Sequence, residues 1–477
     1  MSARAGRGRQ VVGVLLSLVI AGLVAGWFAY IRVGRTPSEV VDYLNLRLQG
    51  HPRLELVFHP VLSTVLDLLD EPDAQARRTP FLVPMLPLNP ATLVASQGTE
   101  TLKLLATVEP VAVQAGPRGR VLRVGPGQAI TRIAVAAAMA RDGDTVEIEP
   151  GDYIADVALW DHDRLTIRGL GNKVRLIAAG AHAEGKAIWI IRRGRVTIEN
   201  IEFVDARAPD GNGAGIRFES GHLIVRNCHF HGNQNGILTG GVADAMLEVE
   251  NSEFGYNGTG DGLTHGLYVG AIKSLKVSGS YFHHGNVGHL IKSRARYNEI
   301  FYNRFTDEPG GRSSYELDFP NGGVARVIGN IIQQGASAQN SVMVSFGVEG
   351  YTWPQNRLFL VHNTLVNDRA YGGSFVRVSV GAEQVLMRNN LLAGFGQVQG
   401  TDLLDVTGDQ RVGWPDFQQP AREDYRLKTE RRHNLLLTAG PAVDPSLIPR
   451  FEYVHPLSLK PLTASPRHPG ALQTPAP

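Results

Sequence analysis

Three short stretches carry residue types suited to moving protons and holding charge. HGLYVG (His265–Gly270), GHLIKSR (Gly288–Arg294) and YELDFP (Tyr315–Pro320) hold His265, Tyr268, His289, Lys292, Arg294, Tyr315, Glu316 and Asp318, and Arg296 follows closely. Such a set suits proton abstraction next to a carboxylate. The carboxylate charge must first be neutralised by Arg, Lys or a metal. A base such as Lys, His or Tyr then takes the proton, and an acid serves the leaving oxygen. Elimination makes a lyase of this chemistry, and return of the proton to the opposite face makes an epimerase. Lys292, with His289, Arg294 and Arg296 nearby, reads as a base whose protonated form is disfavoured by neighbouring positive charge. His265, His289, Lys292, Arg294 and Tyr268 are therefore the candidate catalytic residues, with Tyr315, Glu316, Asp318 and Arg296 as substrate contacts. Hydrolysis is the competing chemistry. It needs two carboxylates roughly 5–9.5 Å apart, and Glu316 and Asp318 at i and i+2 of one strand would lie about 7 Å apart.

These residues act together only if three separate segments stack, and the chain has the pattern for stacking. A unit of alternating apolar residues closed by a large apolar side chain recurs as VTIENIEF (Val196–Phe203), LIVRNCHF (Leu223–Phe230), LEVENSEF (Leu247–Phe254) and LKVSGSYF (Leu275–Phe282). It continues as NEIFYNRF (Asn298–Phe305), ARVIGNII (Ala325–Ile332), LFLVHNTL (Leu358–Leu365) and VLMRNNLL (Val385–Leu392). The alternation has period two, so each unit is a strand, and the spacing belongs to repeat architectures. The predicted fold is all-β, a right-handed single-stranded parallel β-helix over residues 119–400. Aligning Phe282, Phe305 and Ile332 puts the three polar stretches in register, within about 10 Å along the axis at ~4.8 Å per strand. A slip of one residue would reverse the face. Asn200, Asn227, Asn251, Asn330 and Asn363 are expected at coil corners, where Asn tolerates left-handed backbone and bonds to the next coil. Ala129–Ala140, apolar at helical spacing, is expected to plug the open end ahead of a first strand at Thr145–Ile148.

At this point the chain resembles a known superfamily. GPGQAITRIAVAAAMARDGDTVEIEPGDY followed by LTIRGLG is similar to the N-terminal entry of the pectate-lyase-like right-handed β-helix proteins, which implies that fold and leaves the activity open. The Lys292-Ser293 pair with Asn and Phe in the same coil is similar to the chondroitinase B and alginate lyase family. That resemblance implies a base role for Lys292 alone. Asp318, Phe319 and Pro320 stand where the family's Arg is expected, and His289 and Ile291 stand near the place of its calcium-binding Glu pair. No cofactor is required by this reading. The Asp205–Gly213 loop offers oxygen ligands for calcium but reads more simply as a glycine turn.

Composition bounds the remainder. The chain has 477 residues, 43% hydrophobic and 19% charged, with net charge +2, which supplies no concentrated basic surface for nucleic acid. Its single cysteine, Cys228, forms neither an intramolecular disulfide nor a Cys-type zinc site. Its 54 glycines, above the usual ~7% share, indicate many turns between short strands. Residues 11–31 form an uncharged apolar run long enough to span a bilayer, after a basic segment at residues 1–10. The expectation is a single-pass inner-membrane protein. A helical and Pro-rich spacer over residues 32–118 would lead to the β-helix on the periplasmic or extracellular side, followed by a Pro-rich tail over residues 401–477. Tyr351, Trp353 and Tyr371 are candidate sugar-stacking faces should the domain bind glycans without turning them over. The expected partner is an acidic polysaccharide.

Overall fold

The structure is a computed structural model and describes residues 119–171, 174–400, 403–435 and 444–473. The expected membrane anchor and spacer lie outside the described residues. No helix among the described residues is long and apolar enough to cross a membrane.

The described residues between 119 and 411 wind into a parallel β-solenoid whose coils pair with the next through backbone hydrogen bonds on three faces. One face runs from Val121–Val124 through Thr145–Ile148 and on to Leu404–Asp405. A second carries Ala214–Phe218, Asn235–Thr239, Leu267–Val269, Ile291–Ser293, Leu317–Phe319 and Val342–Phe346. The third carries Glu202–Val204, His229–His231, Glu253–Gly255, Tyr281–His283 and Arg304–Thr306. Period two in sequence becomes inside and outside here, because successive side chains of a strand point to opposite faces. The inward positions stack into ladders of like residues. Phe203, Phe230, Phe254, Phe282 and Phe305 are all buried, with neighbouring ring centroids 5.0, 4.6, 4.5 and 5.1 Å apart.

The end plug is a helix over Ile133–Met139, with Ile133, Ala136 and Ala137 buried. Its first two N–H groups donate to the Asp156 carboxylate, at 2.6 and 3.0 Å, which supplies the partners that a helix start lacks. The expectation of a first strand at Thr145–Ile148 needs correction. Val121–Val124 precedes the helix and pairs with that strand, so the plug is inserted between the first two rungs.

The asparagines resolve into two neighbouring columns where one was expected. Asn200, Asn227 and Asn251 have left-handed backbone, at φ 59°, 50° and 47°, and the same column continues through Gly279, Tyr302, Gly329, His362 and Asn389. The next residue of each coil forms a buried ladder. The N–H of Cys228 donates to Ser252 Oγ, that of Ser252 to Ser280 Oγ and that of Ser280 to Asn303 Oδ1. The pattern continues through Asn330, Asn363 and Asn390 to Asp409. Each amide also donates from Nδ2 to a main-chain oxygen, as Asn330 does to Ile300 at 2.8 Å. Asn330 and Asn363 belong to this ladder, where they satisfy backbone groups turned inward at the bend. Cys228 is one rung of it, and burial pushes its thiol up to about 12.

The C-terminal region is more regular than a Pro-rich tail predicts. Phe451–Val454 and Ser458–Pro461 form an antiparallel hairpin. Its Phe451 packs with Leu447 on Tyr302, Ile328 and Val361, and the N–H of Arg450 donates to the Tyr302 hydroxyl at 3.0 Å. Residues 412–431 form a separate compact unit. It holds a second hairpin, Phe417–Gln419 with Asp424–Leu427, closed by the Phe417–Tyr425 ring contact.

Candidate active site

The three polar stretches stack on one another, but the middle one is a residue out of step with its closing apolar residue: Tyr268 and Asp318 stand 14 residues before Phe282 and Ile332, whereas Lys292 stands 13 before Phe305. Leu267, Ile291 and Leu317 stack inward, and Tyr268, Lys292 and Asp318 stack in the adjoining outward column. One step before these strands His265 and His289 lie side by side, ring centroids 4.6 Å apart, with Tyr315 set edge-on to His289 at 4.7 Å. Stacking of equivalent positions, a consequence of coil-to-coil hydrogen bonding, thus gathers residues some 50 apart in sequence onto one patch.

The electrostatics divide the patch into two parts. The first is a histidine pair. The main-chain N–H of His289 donates to His265 Nδ1 at 3.0 Å, which places the His265 proton on Nε2. Burial, reinforced by His289, Lys292 and Arg294, holds His265 well below the usual imidazole range, so it is neutral. His289 Nδ1 lies 3.2 Å from Asp318 Oδ2, within ion-pair distance but not aligned as a hydrogen bond. Asp318 Oδ1 is sealed from solvent and has no hydrogen-bond partner. These two groups are buried, polar and incompletely matched, as expected of groups poised for another ligand.

The second part is a cation pair closed by a carboxylate. Lys292 Nζ donates to Glu349 Oε1 at 2.9 Å, and Arg294 Nη1 donates to Glu349 Oε2 at 2.6 Å. Arg294 is fixed further by Asn321 Oδ1 at 2.6 Å and by the Tyr268 hydroxyl, which accepts from Nε at 3.2 Å. These partners raise the Arg294 guanidinium still higher, while Arg294, with Lys292, holds Glu349 down at about 2. Lys292 also has Asp318 Oδ2 at 4.0 Å. The purely cationic surroundings expected for Lys292 therefore need correction: two carboxylates face it. Glu349 went unnoticed in the sequence because it sits on a loop 57 residues from Lys292 and belongs to no strand pattern.

The remaining candidates are dispersed. Arg296 lies over the Tyr297 ring, 5.1 Å from its centre. Trp353 donates from Nε1 to the Arg294 carbonyl at 3.0 Å, and the Tyr351 hydroxyl donates to Ser379 O, so both rings brace the loop that carries Glu349. Tyr371 is highly exposed, at 87%.

Glu316 does not join Asp318 as the paired-carboxylate reading requires. It is fully buried, accepts from the Ser313 hydroxyl at 3.2 Å and from Gln334 Nε2 at 3.3 Å, and has different neighbours from Asp318. Burial, with the Asp307 charge adding to it, pushes its carboxyl well above the ordinary range. Native Glu316 thus keeps its proton at pH values where the unfolded chain has lost its own, so stability falls as pH rises past the ordinary Glu range. Glu316→Gln imitates the protonated form, and Gln334 Oε1, now without a partner, can accept from the new amide after a flip. The expected outcome is unchanged or higher stability at neutral pH, a flatter pH profile in chemical denaturation, and retained activity. Loss of turnover by a folded E316Q protein would restore the hydrolase reading.

A concavity of about 730 Å³ opens on another face, between Tyr297, Arg326, Arg357 and Leu447. Its Arg326, Arg357 and Arg388 each lie within 3.6 Å of a carboxylate, on Glu299, Glu383 and Asp405. The histidine pair and the cation pair are not part of it.

Residues 163–312 match the family model described as a right handed beta helix region. With the three parallel ladders, this match describes the coil domain as a right-handed parallel β-helix in fold. Among solved structures the chain is similar to the pectate lyase Pel9A, at 12% identity and TM-score 0.47, over 66% of this chain and 90% of that one. It is also similar to AlyGC, an alginate lyase of the PL6 family, at 15% identity and TM-score 0.36, over 59% of this chain and 40% of that one. A pectin methylesterase from Aspergillus niger matches at 11% identity and TM-score 0.30, over 66% of this chain and 99% of that one.

Proposed function

We propose that the protein acts on an acidic polysaccharide at the patch formed by His265, Tyr268, His289, Lys292, Arg294 and Asp318, removing the proton next to a uronate carboxylate. The β-helix would be held outside the cytoplasmic membrane by residues 11–31. The observation that carries the reading is the carboxylate of Glu349, gripped between Lys292 and Arg294 with one oxygen on each. A uronate carboxylate has the same charge and shape. Lys292 and Arg294, seated there on the substrate, neutralise its charge and stabilise the enolate-like carbanion as it forms. Asp318 beside Nδ1 of His289 favours a proton on that nitrogen and leaves Nε2 as the base. The base takes the C5 proton, the electron pair forms a C4–C5 double bond, and the C4–O bond breaks. Tyr268, whose oxygen already accepts from Arg294, retains its O–H to protonate the departing oxygen. Return of a proton to the other face of C5 would instead give the epimer. In this scheme Lys292 is a charge clamp, because two carboxylates face it, and His289 takes the base role.

The test is to incubate the protein with alginate, pectate, hyaluronan and heparin-like chains. Absorbance of unsaturated uronate ends reports elimination, and exchange of the C5 proton in heavy water reports epimerisation. Silence in both measurements on all four polymers would sink the proposal.

Glu349 competes with substrate in this arrangement. Exposed ion pairs contribute ~0.2–1 kcal/mol each, so freeing the two cations is worth roughly 2- to 30-fold in binding. Glu349→Gln is therefore expected to lower KM by about that factor with kcat little changed. A rise in KM would show that Glu349 positions the cations for substrate.

A further inference from the structure

A second polar cluster stands on another face of the solenoid, away from the proposed chemistry. Outward positions of the third face place His229, Glu253 and Tyr281 in one column of successive coils, and His231, Gly255 and His283 in the column beside it. Gly255 is what lets the cluster form. A Cβ there would lie 2.4 Å from His283 Cε1, so the missing side chain is the space into which His283 leans. Three imidazoles converge on Glu253 as a result. His231 Nε2 and His283 Nε2 each lie 3.1 Å from Oε1, and His229 Nδ1 lies 3.7 Å from Oε2.

Hydrogen bonding satisfies this arrangement only in part, through His283 Nε2 and Glu253 Oε1. Two ring nitrogens press on one carboxylate oxygen, and His231 Nε2 is sealed from solvent without a well-aligned partner. The ligand atoms of His229, His231 and Glu253 all lie within 4.8 Å of one another. Four-coordinate zinc takes nitrogen and oxygen ligands at about 2.0–2.2 Å, so small rotations of two side chains would close the set around an ion. His283 is held from behind by its contact of 2.7 Å with His284 Nδ1, the outer support usual for a histidine ligand. Tyr256, Tyr281, Arg304, Glu308 and His455 surround the cluster and bring one cation and one further carboxylate.

We propose that His229, His231 and Glu253 form a binding site for a divalent transition metal of the zinc class, with His283 or water in the fourth position. Two histidines and one carboxylate are a nitrogen and oxygen set that suits Zn²⁺ and Co²⁺ and is poor for calcium. The ligands come from adjacent coils, so the ion would tie coil to coil.

The test uses the full chain, stripped with chelator and titrated with Co²⁺ and Zn²⁺. One Co²⁺ per chain with the visible bands of a four-coordinate nitrogen and oxygen site is expected, displaced by Zn²⁺, with a melting temperature that rises with zinc concentration. Glu253→Gln and His231→Gln keep approximate side-chain size and should each weaken affinity by at least about 100-fold. His222→Ala, outside the cluster, should leave it unchanged. Absence of stoichiometric binding in the wild-type chain overturns the proposal. Undiminished binding by both variants overturns it too, as does a thiolate charge-transfer band pointing to Cys228.

Discussion

Replacing His289 with Ala is expected to lower kcat/KM on the responsive polymer by ~10²–10⁴-fold, the usual contribution of a positioned general base. The expectation is specific because the substitution spares the scaffold. The contact that links His289 to its neighbour runs from its main-chain N–H to His265 Nδ1, and Ala keeps it. Circular dichroism should therefore stay close to wild type, with a fall in melting temperature from the lost ring contacts with His265 and Tyr315 and the lost ion pair to buried Asp318. Lys292→Ala provides the contrast. If Lys292 is a clamp, its loss mainly raises KM and weakens binding of saturated oligouronides; if it is the base, kcat collapses and KM holds. A folded His289→Ala protein with full activity would reject the assignment of the base while leaving the carboxylate clamp standing.

Phe254→Ala should produce the largest loss of stability, about 3–5 kcal/mol, read as a fall in the urea midpoint. Phe254 is the middle ring of the internal stack, with partners at 4.6 and 4.5 Å and almost no exposure. Its surroundings have little freedom to collapse into the gap. Gly236 already brings backbone so near that an added Cβ would lie 2.7 Å from Phe254 Cδ1. Residual cavity volume therefore persists and adds its cost to the lost transfer energy. Each coil contacts only its neighbours, so the loss should appear first as hydrogen exchange in the coils around residues 230–282. A midpoint shift corresponding to less than ~1 kcal/mol would show that the stack is more plastic than its ring spacing implies.

Much of the scaffold was legible in the chain, and particular residues show why. Phe203, Phe230, Phe254, Phe282 and Phe305 recur because each closes the equivalent strand of a successive coil, so aligning them brings the other segments of those coils together. That alignment brought the three polar stretches together and matched Tyr268 with Asp318, but it set Ile291 between them in place of Lys292, because the middle coil has one residue fewer between the two strands. The asparagines misled by one position. Asn227 and Asn330 look equivalent in the repeat, yet one is the left-handed corner and the other is the buried ladder beside it, occupied in the first case by Cys228. Type alone does not separate the two roles, since Asn suits both.

The sequence by itself determined the fold class, the stacking of the coils and the gathering of His265, Tyr268, His289, Lys292, Arg294 and Asp318 on one face. All three follow from period-two alternation plus a repeat, because stacked coils can satisfy their backbones only when equivalent positions meet. The tertiary structure alone decided which carboxylate faces which cation. Glu316 is turned into a buried pocket with Ser313 and Gln334, Asp318 is turned outward to His289, and Glu349 returns from a later loop to join Lys292 and Arg294. The strand pattern says nothing of such loops, whose paths are set by long-range packing such as that of Tyr351 and Trp353. Charge pairing at the patch is consequently a property of the folded chain.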